Sequence, residues 1–268
     1  FQKKNTQKIV LIGDSHADAL QFKLNEKIKK RELSLFRLGT RIYLKDFNYK
    51  HRVINKIDKN FIINNTKIEN FLDKNPDLIV ISHNRWAMKL LEKYFDNEEG
   101  FKEYGTAPEY HSYLEPINTR TSSLKERQEY IKEALISQIN GIINQGHKLI
   151  LVYPVPELGV NPHRHLFIKY IHNKNFFKNS IPVFSVSYEI YKKRNKLIFE
   201  IFDSIENPGI YRVYPHKIFC NQQLKNRCVA NDNNNIFYYD NNHLSIQGSE
   251  LVVNEIMKEI DKIQNKIK

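Results

Sequence analysis

Cysteine, tryptophan and long apolar runs are all scarce in this chain, and each shortage narrows its chemistry. No run of about 18 apolar residues occurs, so no membrane-spanning helix is expected. No leader of basic, apolar and small residues stands at the start. The chain opens Phe1-Gln2-Lys3-Lys4 without a methionine, so the expectation is a piece cut from a longer protein. The two cysteines, Cys220 and Cys228, flank a short polar loop. A zinc site would need two more ligands, and no suitable cluster is near. The spacing is also wrong for a C-x-x-C redox pair. A disulfide closing the loop, in an oxidising compartment, is the simplest reading; two separate free thiols are the alternative. There is no Gly-rich phosphate loop and no dinucleotide fingerprint. His163 and His165 lack a neighbouring carboxylate or cysteine, so they read as a surface loop and no metal is expected.

What is present is a soluble globular composition, 41% hydrophobic and 27% charged. The net charge of +12 favours anionic partners such as nucleic acid, acidic headgroups or acidic glycans. No basic helix, RNA-binding motif or finger spacing accompanies it, so nucleic acid is not the expected partner.

Strand and helix signals alternate. Lys8 to Ile12 reads as a buried strand stopping at Gly13, and Ala17, Leu20 and Leu24 follow at helical spacing. Ser34 to Leu38 is a weaker strand ending at Gly39, followed by a polar, lysine-rich stretch to about residue 60. Asp77 to Ser82 is a strong strand. Residues 96–120, with Gly100, Gly105, Pro108 and Pro116, read as a loop or insertion. Ser123 and Glu126 form a capping box for a helix to Asn144, stopped by Gly146. Lys148 to Val155 is a strand, and residues 157–182 a loop. Residues 185–205 read as helical, and Tyr211 to Tyr214 as a short strand. Phe237 to Tyr239 leads into Asp240, and an amphipathic helix starts near Ser245. This alternation predicts one α/β domain over residues 1–268, a mainly parallel sheet with helices on both faces. In such sheets sites lie at the carboxyl ends of strands. Ser15, Gly39, Asn84 and Asp240 each follow a predicted strand, so they can converge.

Two segments at opposite ends of the chain complement each other. Gly13-Asp14-Ser15-His16 presents a serine at a strand tip. Asp240-Asn241-Asn242-His243 supplies an aspartate and a histidine three residues apart. A serine hydroxyl needs a base within hydrogen-bond reach, and the base needs an orienting partner. Ser15 is the candidate nucleophile, His243 the base and Asp240 the acid. The oxyanion formed on acyl attack needs donors. The N–H groups of Ser15 and Gly39 and the Asn84 side-chain amide are the candidates. His16 can shape the turn, and Trp86 reads as core; both are also candidate substrate walls.

These blocks resemble the SGNH (GDSL-like) hydrolase superfamily, whose Ser, Gly, Asn and His lie in four separated blocks. Ile12-Gly13-Asp14-Ser15-His16-Ala17 is the first, and Tyr239-Asp240-Asn241-Asn242-His243-Leu244-Ser245 the last. The resemblance is closer to the SGNH domain fused behind the acyltransferase-3 membrane domain of bacterial surface-polysaccharide O-acetyltransferases. Gly-Asp-Ser-His-Ala, Arg85-Trp86, Tyr153-Pro154-Val155-Pro156-Glu157 and the Cys220…Cys228 pair before Tyr-Tyr-Asp-x-x-His carry it. It implies a three-layer α/β/α fold on the periplasmic face of the inner membrane. It also implies acetyl transfer through an acyl-serine to a sugar hydroxyl of lipopolysaccharide or another surface glycan. The donor, acetyl-CoA, would be used by the membrane domain, and this domain itself would hold no cofactor. The third block here is Ser82-His83-Asn84-Arg85-Trp86 in place of Gly-x-Asn-Asp. Asn84 is therefore the expected donor, with Arg85 as the alternative. A free-standing glycan acetylesterase and a non-catalytic glycan-binding module are the competing readings.

Overall fold

The computed structural model describes residues 7–31, 33–103, 111–173 and 181–267. The chain start at Phe1, and Gly105 and Pro108 of the expected loop, lie outside them. In chain order the elements are β1 (Lys8–Gly13), α1 (Ser15–Lys29), β2 (Ser34–Leu38), β3 (Phe47–His51), β4 (Lys56–Ile57) and α2 (Lys59–Lys74). Next come β5 (Ile79–His83), α3 (Trp86–Leu91), β6 (Ser112–Pro116), α4 (Leu124–Asn144), β7 (Lys148–Val152) and α5 (Pro162–His172). The last are β8 (Ser185–Ser187), α6 (Tyr188–Asp203), β9 (Ile210–Val213), α7 (His216–Phe219), β10 (Arg227–Val229) and α8 (Ile246–Ile267).

Five strands form the central sheet in the order β2-β1-β5-β7-β9, every pair parallel. Side chains alternate across each strand, so each apolar run feeds two cores. Ile9, Leu11, Ile79, Ile81, Ile150 and Val152 face α1 and α8, burying Leu20, Leu24, Val252 and Ile256. Val10, Ile12, Val80, Leu149 and Leu151 face the other way, against Phe61 and Ile68 of α2, Leu135 of α4 and Phe202 of α6. This is the expected three-layer α/β/α sandwich. Between β1 and β5 the chain reverses direction across the sheet, first running outward to β2. Such a reversal opens a crevice at the strands' carboxyl ends.

Capping follows the sequence signal in one case with a shift. Ser123 Oγ accepts the N–H of Glu126 at 3.2 Å, while Glu126 accepts from the N–H of Ser122 at 2.6 Å rather than from that of Ser123. The polar stretch after Gly39 is not a plain loop. It holds β3 and β4 and leads straight into α2, and β6 lies inside the expected 96–120 loop. These strands make a separate antiparallel sheet, β4-β3-β6. Helix α5 likewise occupies part of the expected loop over 157–182. Cys220 and Cys228 are bonded to each other, closing the loop between α7 and β10. Among the described residues no helix is long and apolar enough to cross a membrane.

Candidate active site

Gly13 ends β1 at φ +145°, opposite His83 in the register of β5. A Cβ there would sit 1.9 Å from the His83 carbonyl oxygen, so glycine alone fits this crossing point. The chain then turns at Asp14, whose carboxylate caps α1 by accepting the N–H of His16 at 3.0 Å. The same carboxylate accepts the N–H of Arg85 at 3.1 Å, and Asn84 Oδ1 accepts the N–H of Asp14 at 3.0 Å. Arg37 of β2 donates to the carbonyls of Gly13 (2.9 Å) and Asp14 (3.3 Å). The turn is thus held from both neighbouring strands. Ser15, the first residue of α1, is exposed at its tip.

The partner residues arrive from the loop before α8. Asp240 Oδ1 accepts the N–H groups of Asn242 (2.9 Å) and His243 (2.8 Å), which folds Asp-x-x-His into a tight turn. Its other oxygen lies 2.7 Å from His243 Nδ1. Burial pushes the Asp240 carboxyl up, but the His243 ring and the two N–H donors outweigh it and hold it at about 2. The carboxylate is therefore ionised at neutral pH, so Nδ1 carries the proton and Nε2 is free to accept. Ser15 Oγ donates to Nε2 at 2.7 Å, across 228 positions of sequence. The expected strand end before Asp240 is not found in the sheet. Asp240 sits instead in a loop pinned by the Tyr238–Leu244 bridge. His163 Nε2 lies 2.9 Å from the Tyr238 carbonyl, and Leu158 N–H donates to the Asn241 carbonyl at 2.8 Å. Thus His163, expected on a surface loop, is on α5 and anchors the Asp240 loop.

Gly39 and Asn84 both follow sheet strands, as expected. Gly39 has φ +74°, and Asn64 Oδ1 accepts the N–H of Thr40 beside it at 2.9 Å. Asn84 uses its oxygen on Asp14, leaving its Nδ2, among the described residues, only a long contact of 3.5 Å to Ser82 Oγ. Arg85 is not available as an oxyanion donor. Its guanidinium is turned away into a buried cluster, with Glu157 at 2.5 Å from Nε and Glu103 at 2.9 Å from Nη1. Arg194 donates to the far oxygen of Glu157 at 2.9 Å. Burial would raise the Glu157 carboxyl, yet the two arginines bring it down to about 2.

Trp86 and His16 are not substrate walls. Trp86 is only 3% exposed and packs edge-on against Phe202. His16 is buried under the site, its ring 5.0 Å from that of His243 and its Nε2 2.9 Å from Asn242 Oδ1. Asn242 Nδ2 donates to Asn241 at 2.8 Å, so its oxygen faces His16 and the His16 proton is on Nε2. Burial drives His16 down to about 3 and His83 down to about 4. Asp14, Arg37, Asn242 and Glu103 were not singled out from sequence; only Asp14, inside Gly-Asp-Ser, had a signal that could have marked it.

These shifts set a pH dependence of stability. His16, His83 and His216, the last also brought to about 4 by burial, are neutral when folded and bind protons near 6.5 when unfolded. The unfolded chain therefore takes up more protons as the pH falls below 6.5, and stability drops. Asp240 and Glu157 extend the loss from the ordinary carboxylate range down to about 2. Urea denaturation from pH 7.5 to 4.5 should show stability falling by up to about 1.4 kcal/mol per pH unit for each histidine. A flat profile between pH 7 and 5 would contradict the burial of all three.

A cleft of about 620 Å³ opens beside Ser15 and His243, walled on its far side by Tyr49, His51 and Ser112 of the small sheet. A comparison with curated proteins finds no match. Among solved structures, the periplasmic domain of a lipopolysaccharide acetyltransferase from Salmonella ser. Paratyphi A is similar in fold, with 19% identity and a TM-score of 0.60. The match covers 96% of this chain and 85% of that one. A protein of Bacteroides fragilis taken to be an acylhydrolase is similar at 13% identity and a TM-score of 0.50, covering 97% of this chain and 89% of that one. The sequence matches the family described as "SGNH domain (fused to AT3 domains)" over residues 1–258, and the chain belongs to that family.

Proposed function

We propose that this is the acyl-transferring domain of an O-acetyltransferase, with Ser15 as nucleophile, His243 as base and Asp240 as its orienting acid. The hydrogen-bonded line Ser15 Oγ–His243 Nε2 and Nδ1–Asp240, 2.7 Å at each step, carries this reading. Ser15 Oγ attacks the acetyl carbonyl as His243 takes its proton. The imidazolium faces an ionised Asp240, and the proton then passes to the departing group. In the second half His243 removes the proton of a sugar hydroxyl, which attacks the acyl-serine and regenerates Ser15. The N–H groups of Ser15 and Gly39 and the Nδ2 of Asn84 are assigned to the tetrahedral oxyanion. Family fusion to AT3 domains supports a membrane-embedded partner that brings the acetyl group from acetyl-CoA to this domain on the periplasmic side. The acceptor is a hydroxyl of lipopolysaccharide or another surface glycan. Alone, the domain would pass acetyl to water as a weak esterase.

Incubation with a fluorophosphonate tests the nucleophile directly. Peptide mapping should place one adduct on Ser15, with none on the other serines. No adduct on Ser15 would remove the acyl-serine from the reading.

A further inference from the structure

The cleft beside Ser15 has a charge that the acyl transfer itself does not need. Arg41, Lys56, Lys59 and Lys89 line it, against two carboxylates. Both carboxylates are already engaged. Asp14 takes the N–H groups of His16 and Arg85. Asp58 takes the N–H of Asn60 at 2.9 Å and Arg41 Nε at 3.3 Å. Lys56 and Lys59 are exposed at the mouth, on β4 and at the start of α2. Neither is in an ion pair among the described residues. Deeper in, Lys89 is 7% exposed and donates to Tyr49 Oη at 2.6 Å. On the same wall His51 Nδ1 is buried without a hydrogen-bond partner among the described residues. An uncharged acetyl ester gives these groups nothing to meet. A cleft with one sign of charge and low-dielectric walls concentrates ligands of the opposite sign.

From this we infer that the acceptor is an anionic glycan, and that the cleft binds its carboxylate or phosphate at Lys56 and Lys59 while a neighbouring hydroxyl reaches Ser15. The inference rests on the acyl-serine reading for its second clause only. Anion binding by the cleft is a separate equilibrium property. Because both line the same cleft, the two exposed ammonium groups can add their attraction on a single anion, and salt weakens that attraction over a Debye length of about 8 Å at physiological strength.

The test is equilibrium binding to the Ser15→Ala chain, so that no turnover intervenes. Hexagalacturonate supplies carboxylates, a mannose 6-phosphate oligosaccharide supplies phosphate, and cellohexaose is the neutral comparison. At low salt one anionic oligosaccharide should bind at least tenfold more tightly than cellohexaose, and which one binds names the anion. Lys56→Gln with Lys59→Gln should lower that affinity about tenfold or more. Lys258→Gln with Lys262→Gln removes the same charge from α8, outside the cleft, and should leave it unchanged. Equal binding of all three sugars, or equal loss with both variant pairs, overturns the inference. Neither outcome bears on fluorophosphonate labelling of Ser15, so the two readings fail separately.

Discussion

Ser15→Ala will reduce the hydrolysis of 4-nitrophenyl acetate by about 10⁴-fold or more. Without the hydroxyl no acyl-serine can form, and His243 has no proton to take from it. The variant should keep its fold, because Ser15 is exposed and its backbone stays in the first turn of α1. Asp240→Asn gives a graded companion result. An amide oxygen in the place of Oδ1 still accepts the two backbone N–H groups, but the amide no longer fixes the Nδ1 proton or balances an imidazolium. A loss on the order of 10²–10⁴-fold is expected. Equal urea midpoints for Ser15→Ala and the parent, with at least a tenth of the parent's activity kept, would sink the assignment of the nucleophile.

The largest effect on stability is expected at Arg85. Arg85→Met removes the cation that Glu103 and Glu157 share in the interior. Arg194 still serves Glu157, but among the described residues Arg85 is the only ion-pair partner of Glu103. A buried charge left without its partner costs about 3–5 kcal/mol. Urea denaturation at pH 7 measures it. A change below about 1 kcal/mol would mean that the cluster is not closed as described. Arg85 also reaches the site through its backbone, since its N–H donates to Asp14. The variant should therefore lower esterase activity in proportion to the unfolded fraction and, beyond that, only modestly.

The sequence made the sheet legible where apolar residues run uninterrupted. β1, β5 and β7 are such runs, and β1 and β5 stop at residues of the site. The capping box before α4 and the apolar side of α8 were equally plain. α2 was not, because Asn64 and Asn65 take inward positions while Ile62 and Ile63 point outward. Those asparagines serve backbone groups: Asn64 takes the Thr40 N–H and Asn65 holds Leu44. Side-chain amides that bond to a neighbouring loop leave no periodic mark. The small sheet escaped for a similar reason. Asn48, Lys50 and Lys56 are polar strand residues, and β3 and β6 are far apart in sequence. Ser15, Asp240 and His243 could be singled out because their chemistry demands a fixed combination of residue types. The fate of Arg85 was hidden, since its carboxylate partners lie 18 and 72 positions away.

The packing of α8 on α1, where Ser249 Oγ donates to the Ala19 carbonyl at 2.8 Å, has a consequence during synthesis. The ribosome releases Ser15 well over two hundred residues before the Asp240–His243 turn, 228 positions before His243. Until that later segment docks, the growing chain holds a plain serine with the reactivity of any exposed alcohol. On the acyl-serine reading, chemistry begins only once that turn has docked, and a chain terminated before it is expected to be inert.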